Sequence, residues 1–418
     1  MITRNIYILI SIFFMFLTHS MIHAQYEPLA KLWGVSVNEV PNLLDIESNL
    51  TMVDSLLTPI LDGSCFGGTY IDVKANKIFI NTVNSSMIPI VESSPKIKPY
   101  INLLSFQSAT NSSYHLNYTL YNLTVLAQEL KANNVIIIIN PKFNNVVIYL
   151  NHEDDKTNKN FIDVAAKFYP IMNYSSKSFT NSNILEFKIE KRNIQDKVLD
   201  GDGLHNIEGN PVCSAGLWMR DANNPNKNYL ATAGHCARYQ PLNNQGFVDF
   251  YHIPWIFSPP TYRYIGPLTQ YSFSPYDFGL IEAICPNTSI TTIINNFPSR
   301  IYRELFIKEV KSITTIGVHV CKSGYTSYAT CGFVLNINAK IIGLDVDNNT
   351  SVKEGMMLTN LYFDEGDSGS PVYQYSKSLP YVPVVGIGIV GEVGPSLAGV
   401  LHLDVILRHY QLVVVVTP

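Results

Sequence analysis

The six residues Gly366-Asp367-Ser368-Gly369-Ser370-Pro371 decide how the second half of this 418-residue chain is read. Glycines on both sides of Ser368 let the backbone turn tightly, and Pro371 opens a return strand where its missing N–H does no harm. Outward from this loop, short apolar runs at 246–251, 278–283, 332–337 and 382–390 alternate with Gly, Pro and Asn turns. That spacing predicts an all-β sandwich or barrel. A helix is expected over Leu403–Tyr410, followed by a strand over 412–416. The stretch 198–418 holds 221 residues, enough for two barrels packed together.

Two other segments bear chemistry: Thr232-Ala233-Gly234-His235-Cys236 and Tyr276-Asp277-Phe278-Gly279-Leu280-Ile281. His235, Asp277 and Ser368 follow one of the known chain orders of a nucleophilic triad. A serine hydroxyl is a weak nucleophile at its own pKa, so it needs a base, and a neutral imidazole is the natural one near pH 7. A buried carboxylate fixes the imidazole's tautomer and stabilises its cation. The tight turn around Ser368 aims the N–H groups of Gly366 and Ser368 at a developing oxyanion. Each segment alone has a plainer reading, as a structural histidine, an Asp-X-Gly turn or a glycine loop. The joint case is the stronger one, and His205, His252, His319, His402 and His409 are read as structural.

Glycine also marks a boundary. Only 4 of the 24 glycines precede position 198 and 20 follow it, so two folding regimes share the chain. Residues 25–197 read as mixed α and β. Within 121–133, Leu123, Leu126, Ala127 and Leu130 recur at helical spacing. A hairpin follows, with strands over 135–139 and 146–150, then a helix over 161–168 and a strand over 184–189. The polar stretch 190–200 reads as an uncovered linker carrying a processing site.

Composition narrows the partners. A chain 46% hydrophobic and 15% charged can bury substantial cores, which excludes wholesale disorder. With 29 Lys and Arg against 33 Asp and Glu, and no basic run, nothing draws it to nucleic acid. There is no His-Glu-X-X-His helix, and no metal or cofactor is expected. Arg4, an apolar run over 6–17 and Ala24 before Gln25 form the pattern of a cleaved secretory signal over 1–24. A run of about 12 apolar residues is too short to cross roughly 30 Å of hydrocarbon, so no membrane contact is expected after its removal. The product is then secreted and extracellular. Asn-X-Ser/Thr triplets at Asn49, Asn84, Asn111, Asn117, Asn122, Asn173, Asn287, Asn348 and Asn349 suit a glycoprotein. Secretion implies oxidising conditions for the six cysteines. Cys213 and Cys236 bracket 22 residues and Cys321 and Cys331 bracket nine. Closing either loop constrains the unfolded chain by about 3 kcal/mol. Cys65 and Cys285 are expected to remain free, buried thiols.

The three chemical segments resemble those of the chymotrypsin family of serine endopeptidases, and most closely its α-lytic protease and streptogrisin branch. Cys321-Lys322-Ser323-Gly324-Tyr325-Thr326 through Cys331-Gly332 is similar to that branch's Cys-Arg-Ser-Gly-X-Thr…Cys-Gly disulfide hairpin. The tail around Ile406-Leu407-Arg408-His409-Tyr410 also resembles its final helix and strand. Phe66-Gly67-Gly68-Thr69-Tyr70-Ile71-Asp72 and the hairpin at Asn140-Pro141 look like its pro-region. The resemblance implies a pro-region over 25–197 and a protease domain over 198–418, built of two six-stranded β-barrels with the triad in the cleft between them. It implies that the pro-region assists folding, inhibits the enzyme and is cut away, leaving a monomer that acts on proteins or peptides. Residue by residue, His235 is the general base, Asp277 its orienter and Ser368 the nucleophile, with oxyanion donors at Gly366 and Ser368. Disulfides Cys213–Cys236 and Cys321–Cys331 are implied, and Asp367 anchors the serine loop.

Departures from the branch shape the remaining expectations. Lys322 stands where the branch has an arginine opposite Asp367; lysine cannot make a bidentate fork, so a looser loop is expected. Ser370 replaces a glycine. Gly386-Ile387-Gly388-Ile389-Val390-Gly391 occupies the place of Gly-Val-X-Ser-Gly-Gly, so Ile389 stands where a serine donates to the triad aspartate, and Val390 replaces a glycine of the substrate-pairing strand. The cysteine of the specificity loop is absent from Tyr362-Phe363-Asp364-Glu365. Tyr362, Phe363, Gly388, Ile389, Val390 and Gly391 are expected to line or border the substrate pocket. With no acidic residue at its floor and no histidine at its wall, the pocket points to an apolar preference. The expected activity is that of a serine endopeptidase made as a zymogen. A protease-fold binding protein that grips without cutting is the alternative, favoured by Ile389 and Val390, and an esterase-like acyl hydrolase is a third reading.

Overall fold

The computed structural model describes residues 26–175, 197–206, 212–255, 262–286, 288–297, 299, 303–344, 349–378, 380–390 and 397–418. The expected signal over 1–24, the strand over 184–189 and Gly391 lie outside the described residues.

From Gly203 onward the regular structure among the described residues is β apart from one turn of 3₁₀ helix and the helix Leu403–Tyr410, whose bounds match the sequence reading. An eight-stranded sheet runs in the order Leu412–Val414, Trp218–Asp221, Asn228–Thr232, Phe278–Glu282, Arg263–Ser272, Val248–Ile253, Gly203–His205 and Val212–Ser214. Trp218, Leu230, Phe250, Leu268, Leu280 and Ile281 are all buried in it. The second sheet closes on itself. His319–Gly324, Tyr328–Leu344, Thr350–Thr359, Ala398–His402, Tyr381–Val390 and Pro371–Tyr373 pair in that order, and the last pairs again with the first. Val320, Val334, Met357, Val372, Ile387 and Val400 are all buried in it. The helix Leu403–Tyr410 then returns the chain to the first sheet, where Leu412–Val414 pairs with Trp218–Asp221. An all-β double-barrel architecture preceded by an α+β region is therefore what these residues build.

The leading region holds the expected hairpin, as Val135–Asn140 and Asn145–Asn151. The helix expected over 121–133 is the end of a longer one, Ser113–Glu129, started by the Ser112 hydroxyl, which accepts the His115 N–H at 3.2 Å. Tyr114, Tyr118 and Tyr121 are exposed on it and blur its apolar pattern, while Leu116, Leu120, Leu123 and Ala127 form the buried face. The helix expected over 161–168 begins earlier, at Asp155–Ala165. Three helices were not foreseen: Glu27–Trp33, Val40–Leu57 and Ile88–Ser93. The buried residues Leu29, Trp33, Leu50, Val53 and Leu57 of the first two join one core with the second barrel. The two halves also share a ladder, since Val135, Ile136 and Ile137 pair antiparallel with Ile342, Ile341 and Lys340. The linker reading needs correction at its end: Val198 and Asp200 are buried, pinned by the Trp218 indole N–H on the Val198 carbonyl at 3.0 Å and by β-bridges from Lys197 to Ser289 and from Asp200 to Ile294.

Candidate active site

Strand Asn228–Thr232 ends the first sheet's centre and delivers His235 on the 3₁₀ turn Gly234–Ala237. Gly234 is required by close approach: a Cβ there would collide with the backbone of Ser272 and Phe278. The neighbouring strand Phe278–Glu282 places Asp277 just ahead of its first residue, facing this turn. Ser368 comes from the other barrel, on the loop before Pro371–Tyr373. That loop is bound to the first sheet, because Ser214 N–H donates to the Ser368 carbonyl at 2.7 Å and the Ser214 hydroxyl to the Gly366 carbonyl at 2.8 Å.

The three side chains meet. His235 Nε2 lies 2.7 Å from Ser368 Oγ, and His235 Nδ1 lies 2.8 Å from Asp277 Oδ2. The other oxygen of Asp277 accepts the His235 backbone N–H at 2.9 Å. With Nδ1–H given to the carboxylate, Nε2 is left as an acceptor for the serine proton. Exposure is graded across the group: Asp277 is fully buried, Ser368 5% exposed, and the His235 side chain 27% exposed. Burial alone raises the Asp277 pKa, but the adjacent His235 and Lys353 charges outweigh it and hold the carboxyl well below the usual carboxylate range.

Gly366 adopts φ 99°, a backbone region closed to L side chains. In this turn the Asp367 N–H is spent on the Asp364 carbonyl at 3.1 Å, whereas the N–H groups of Gly366 and Ser368 have no partner among the described residues. The loop's anchor differs from the expected loosening. Lys322 is fully buried, and its ammonium donates to Ser327 Oγ at 2.5 Å, the Tyr328 carbonyl at 2.9 Å and Asp367 Oδ2 at 2.9 Å. Asp367 further accepts the N–H groups of Thr326, Ser327 and Asp364, each at 3.0 Å, and the Ser327 hydroxyl. Backbone donors thus supply what the missing arginine fork does not. Burial pulls the Lys322 pKa down, opposed by the Asp367 charge.

Of the residues expected near a substrate pocket, Tyr362 is half-buried, while Phe363 is only 2% exposed, its ring centroid 5.3 Å from the Lys322 ammonium. Phe363 is thus part of the floor under the serine loop. Gly388 is tied to that loop in both directions, accepting the Gly369 N–H and donating to the Ser370 carbonyl, each at 2.8 Å. Ile389 and Val390 continue the strand Tyr381–Val390, opposite Gly399 and Ala398. Both cysteine pairs, Cys213–Cys236 and Cys321–Cys331, are joined. Cys65 and Cys285 are free as expected, but half-buried. Among the described residues the grouping of possible metal ligands Cys213, His235 and Cys236 is a disulfide beside the triad imidazole, so it offers no thiolate.

One functional neighbour was missed. Lys353, from strand Thr350–Thr359, brings its ammonium 2.8 Å from Asp277 Oδ2. The donor expected to be lost with Ile389 therefore has a substitute from another strand. No motif signals it, because an isolated lysine in a strand reads as surface.

No family model matches this chain, and no curated protein matches it. Similar solved structures exist. Protease A of Thermobifida fusca is 18% identical with a TM-score of 0.40, covering 53% of this chain and 100% of its own. A Cellulomonas bogoriensis chymotrypsin is 19% identical with a TM-score of 0.39, over 53% of this chain and 100% of its own. An α-lytic protease homologue, N4, is 17% identical with a TM-score of 0.39, over 52% and 98%.

Proposed function

We propose that this chain is a secreted serine endopeptidase made as a precursor, with residues 198–418 as the catalytic part. The observation that carries the reading is the imidazole of His235 held between Ser368 Oγ at 2.7 Å and Asp277 Oδ2 at 2.8 Å. In this reaction Ser368 Oγ attacks the scissile carbonyl carbon while His235 Nε2 takes its proton. Asp277 keeps the second ring proton on Nδ1 and stabilises the imidazolium. The N–H groups of Gly366 and Ser368 receive the oxyanion, each such donor worth about 2.7–4 kcal/mol. His235 then returns its proton to the leaving amine. Water attacks the acyl-enzyme with the same base, freeing Ser368.

The leading region, residues 25–197, fits the role of a pro-region. Its hairpin extends the second barrel's sheet, and the helix Val40–Leu57 inserts two acidic side chains into the other half. Glu47 accepts the His319 backbone N–H at 2.7 Å, and Asp54 accepts the Thr315 hydroxyl at 2.8 Å. The reading is tested by expressing the full chain in a secreting host and adding a fluorophosphonate probe. Labelling at Ser368, absent in the Ser368→Ala variant, is expected together with peptide hydrolysis. A folded product that neither labels nor cleaves refutes it.

A further inference from the structure

We propose that Lys353 is a positioning residue of the active site, a fourth member that fixes the carboxylate of Asp277 and tunes the basicity of His235 through it. The inference rests on the endopeptidase reading above and adds to it a group outside the three classes of residue the reaction itself requires.

The geometry is specific. Lys353 Nζ and His235 Nδ1 both lie 2.8 Å from one oxygen, Asp277 Oδ2, while Oδ1 takes the His235 backbone N–H. The carboxylate is fully buried and the Lys353 side chain is 13% exposed, so the pair interacts with little screening by solvent. Lys353 is also held in place by its strand. The Ser274 hydroxyl donates to the Val352 carbonyl at 3.2 Å, and the Glu354 N–H donates to the Pro275 carbonyl at 2.7 Å. These bonds sit on both sides of Lys353 and clamp the segment leading into Asp277 against a strand of the other barrel. Among the described residues the charged groups acting on Asp277 are His235 and Lys353; the adjacent Glu354 is engaged by Lys340 at 3.1 Å.

Two consequences oppose each other. The ammonium keeps Asp277 ionised and aimed, which favours the reactive tautomer of His235. The same positive charge disfavours the imidazolium that forms when Ser368 gives up its proton. Removing Lys353 therefore lowers the rate through lost orientation and, by easing protonation of the imidazole, moves the acid limb of the pH profile upward. A lysine that merely filled space would alter amount or stability and leave that limb where it is.

The test uses the full chain, secreted and quantified by fluorophosphonate titration of active sites. In Lys353→Met, kcat/KM should fall about tenfold to a hundredfold, the range for losing a hydrogen bond to a buried charge. Its acid limb should move up by about one pH unit. Lys353→Arg, which keeps charge and donors, should hold the wild-type limb. Lys353→Gln carries the same expectation of a shifted limb should the methionine variant fail to fold. A limb unmoved in both uncharged variants, or equally moved in the arginine variant, overturns the role of Lys353 while the wild type still labels and cleaves. A wild type that folds without labelling overturns the endopeptidase reading, and this inference with it.

Discussion

Replacing Glu47 by glutamine tests how the leading helix is held, and the structure sets the size of the effect. Glu47 is 5% exposed, and its two oxygens accept the His319 backbone N–H at 2.7 Å and the His319 ring Nδ1–H at 2.6 Å. The Tyr375 N–H points at the other ring nitrogen, Nε2, at 2.9 Å, which fixes the ring proton on Nδ1, facing the carboxylate. Each of these two hydrogen bonds to the buried carboxylate is worth about 1.5–3 kcal/mol. Glutamine keeps one acceptor oxygen and so retains about 1 kcal/mol of that. The expected loss is therefore about 2–5 kcal/mol. The measurement is a double-mutant cycle of Glu47→Gln and His319→Gln in the full chain carrying Ser368→Ala, which prevents self-cleavage. Urea unfolding is followed by the fluorescence of Trp33, whose ring lies 5.5 Å from that of His319. A coupling energy of about 1.5–3 kcal/mol is expected, within the range for residues in contact. Coupling below about 0.5 kcal/mol, the level of independent sites, would refute the view that this pair docks the helix.

Two further outcomes follow from buried charges. Lys322→Met leaves Asp367 with backbone donors but no cation, and should destabilise the chain by about 3–5 kcal/mol, read as a lowered Tm with weaker labelling of Ser368; an unchanged Tm contradicts it. Asp200 is fully buried, and burial together with the neighbouring Asp202 raises its pKa well above the usual range against the opposing Trp218 backbone. Above the ordinary carboxylate pKa of about 3.9 the unfolded chain is then ionised while the folded group keeps its proton, so stability falls as pH rises toward the folded pKa. Asp200→Asn should flatten that slope in urea unfolding from pH 4 upward, and an unaltered slope counts against a protonated Asp200.

What the sequence made legible is what is local. Strand runs bounded by Gly, Pro and Asn, the hairpin at Asn140-Pro141 and the helix Leu403–Tyr410 all carry their signal within a few residues. The meeting of His235, Asp277 and Ser368 was expected from three short segments, because tight turns and buried strands leave local marks. The helix Val40–Leu57 was not, since its buried Glu47 and Asp54 interrupt the apolar pattern a helix face is read by. Those carboxylates are tolerated because they are hydrogen-bonded, Asp54 by Thr69 and Thr315 and Glu47 by His319, and both Thr315 and His319 lie more than 250 positions away. Lys353 is hidden for the same reason. A charged residue in a strand becomes informative only when the carboxylate that neutralises it is brought in from another sheet.

Lys353 and the leading region are connected through one hairpin. Within Thr350–Thr359, residues 356–359 pair on both sides, with the Tyr328–Leu344 strand and with Ala398–His402. The end that carries Lys353 pairs only with 341–344, and the far edge of 341 and 342 is covered by Val135–Asn140 of the leading region. In the whole chain Lys353 thus rides on a sheet extended by the leading hairpin. Without that hairpin the same segment is a two-stranded ribbon, a structure of marginal stability by itself. Its position then depends on the bonds from Ser274 and Glu354 and on the ammonium's own attraction to Asp277. The support of the triad carboxylate and the docking of the leading hairpin therefore draw on the same strands, joined where Ile341 pairs with Lys353 on one side and Ile136 on the other.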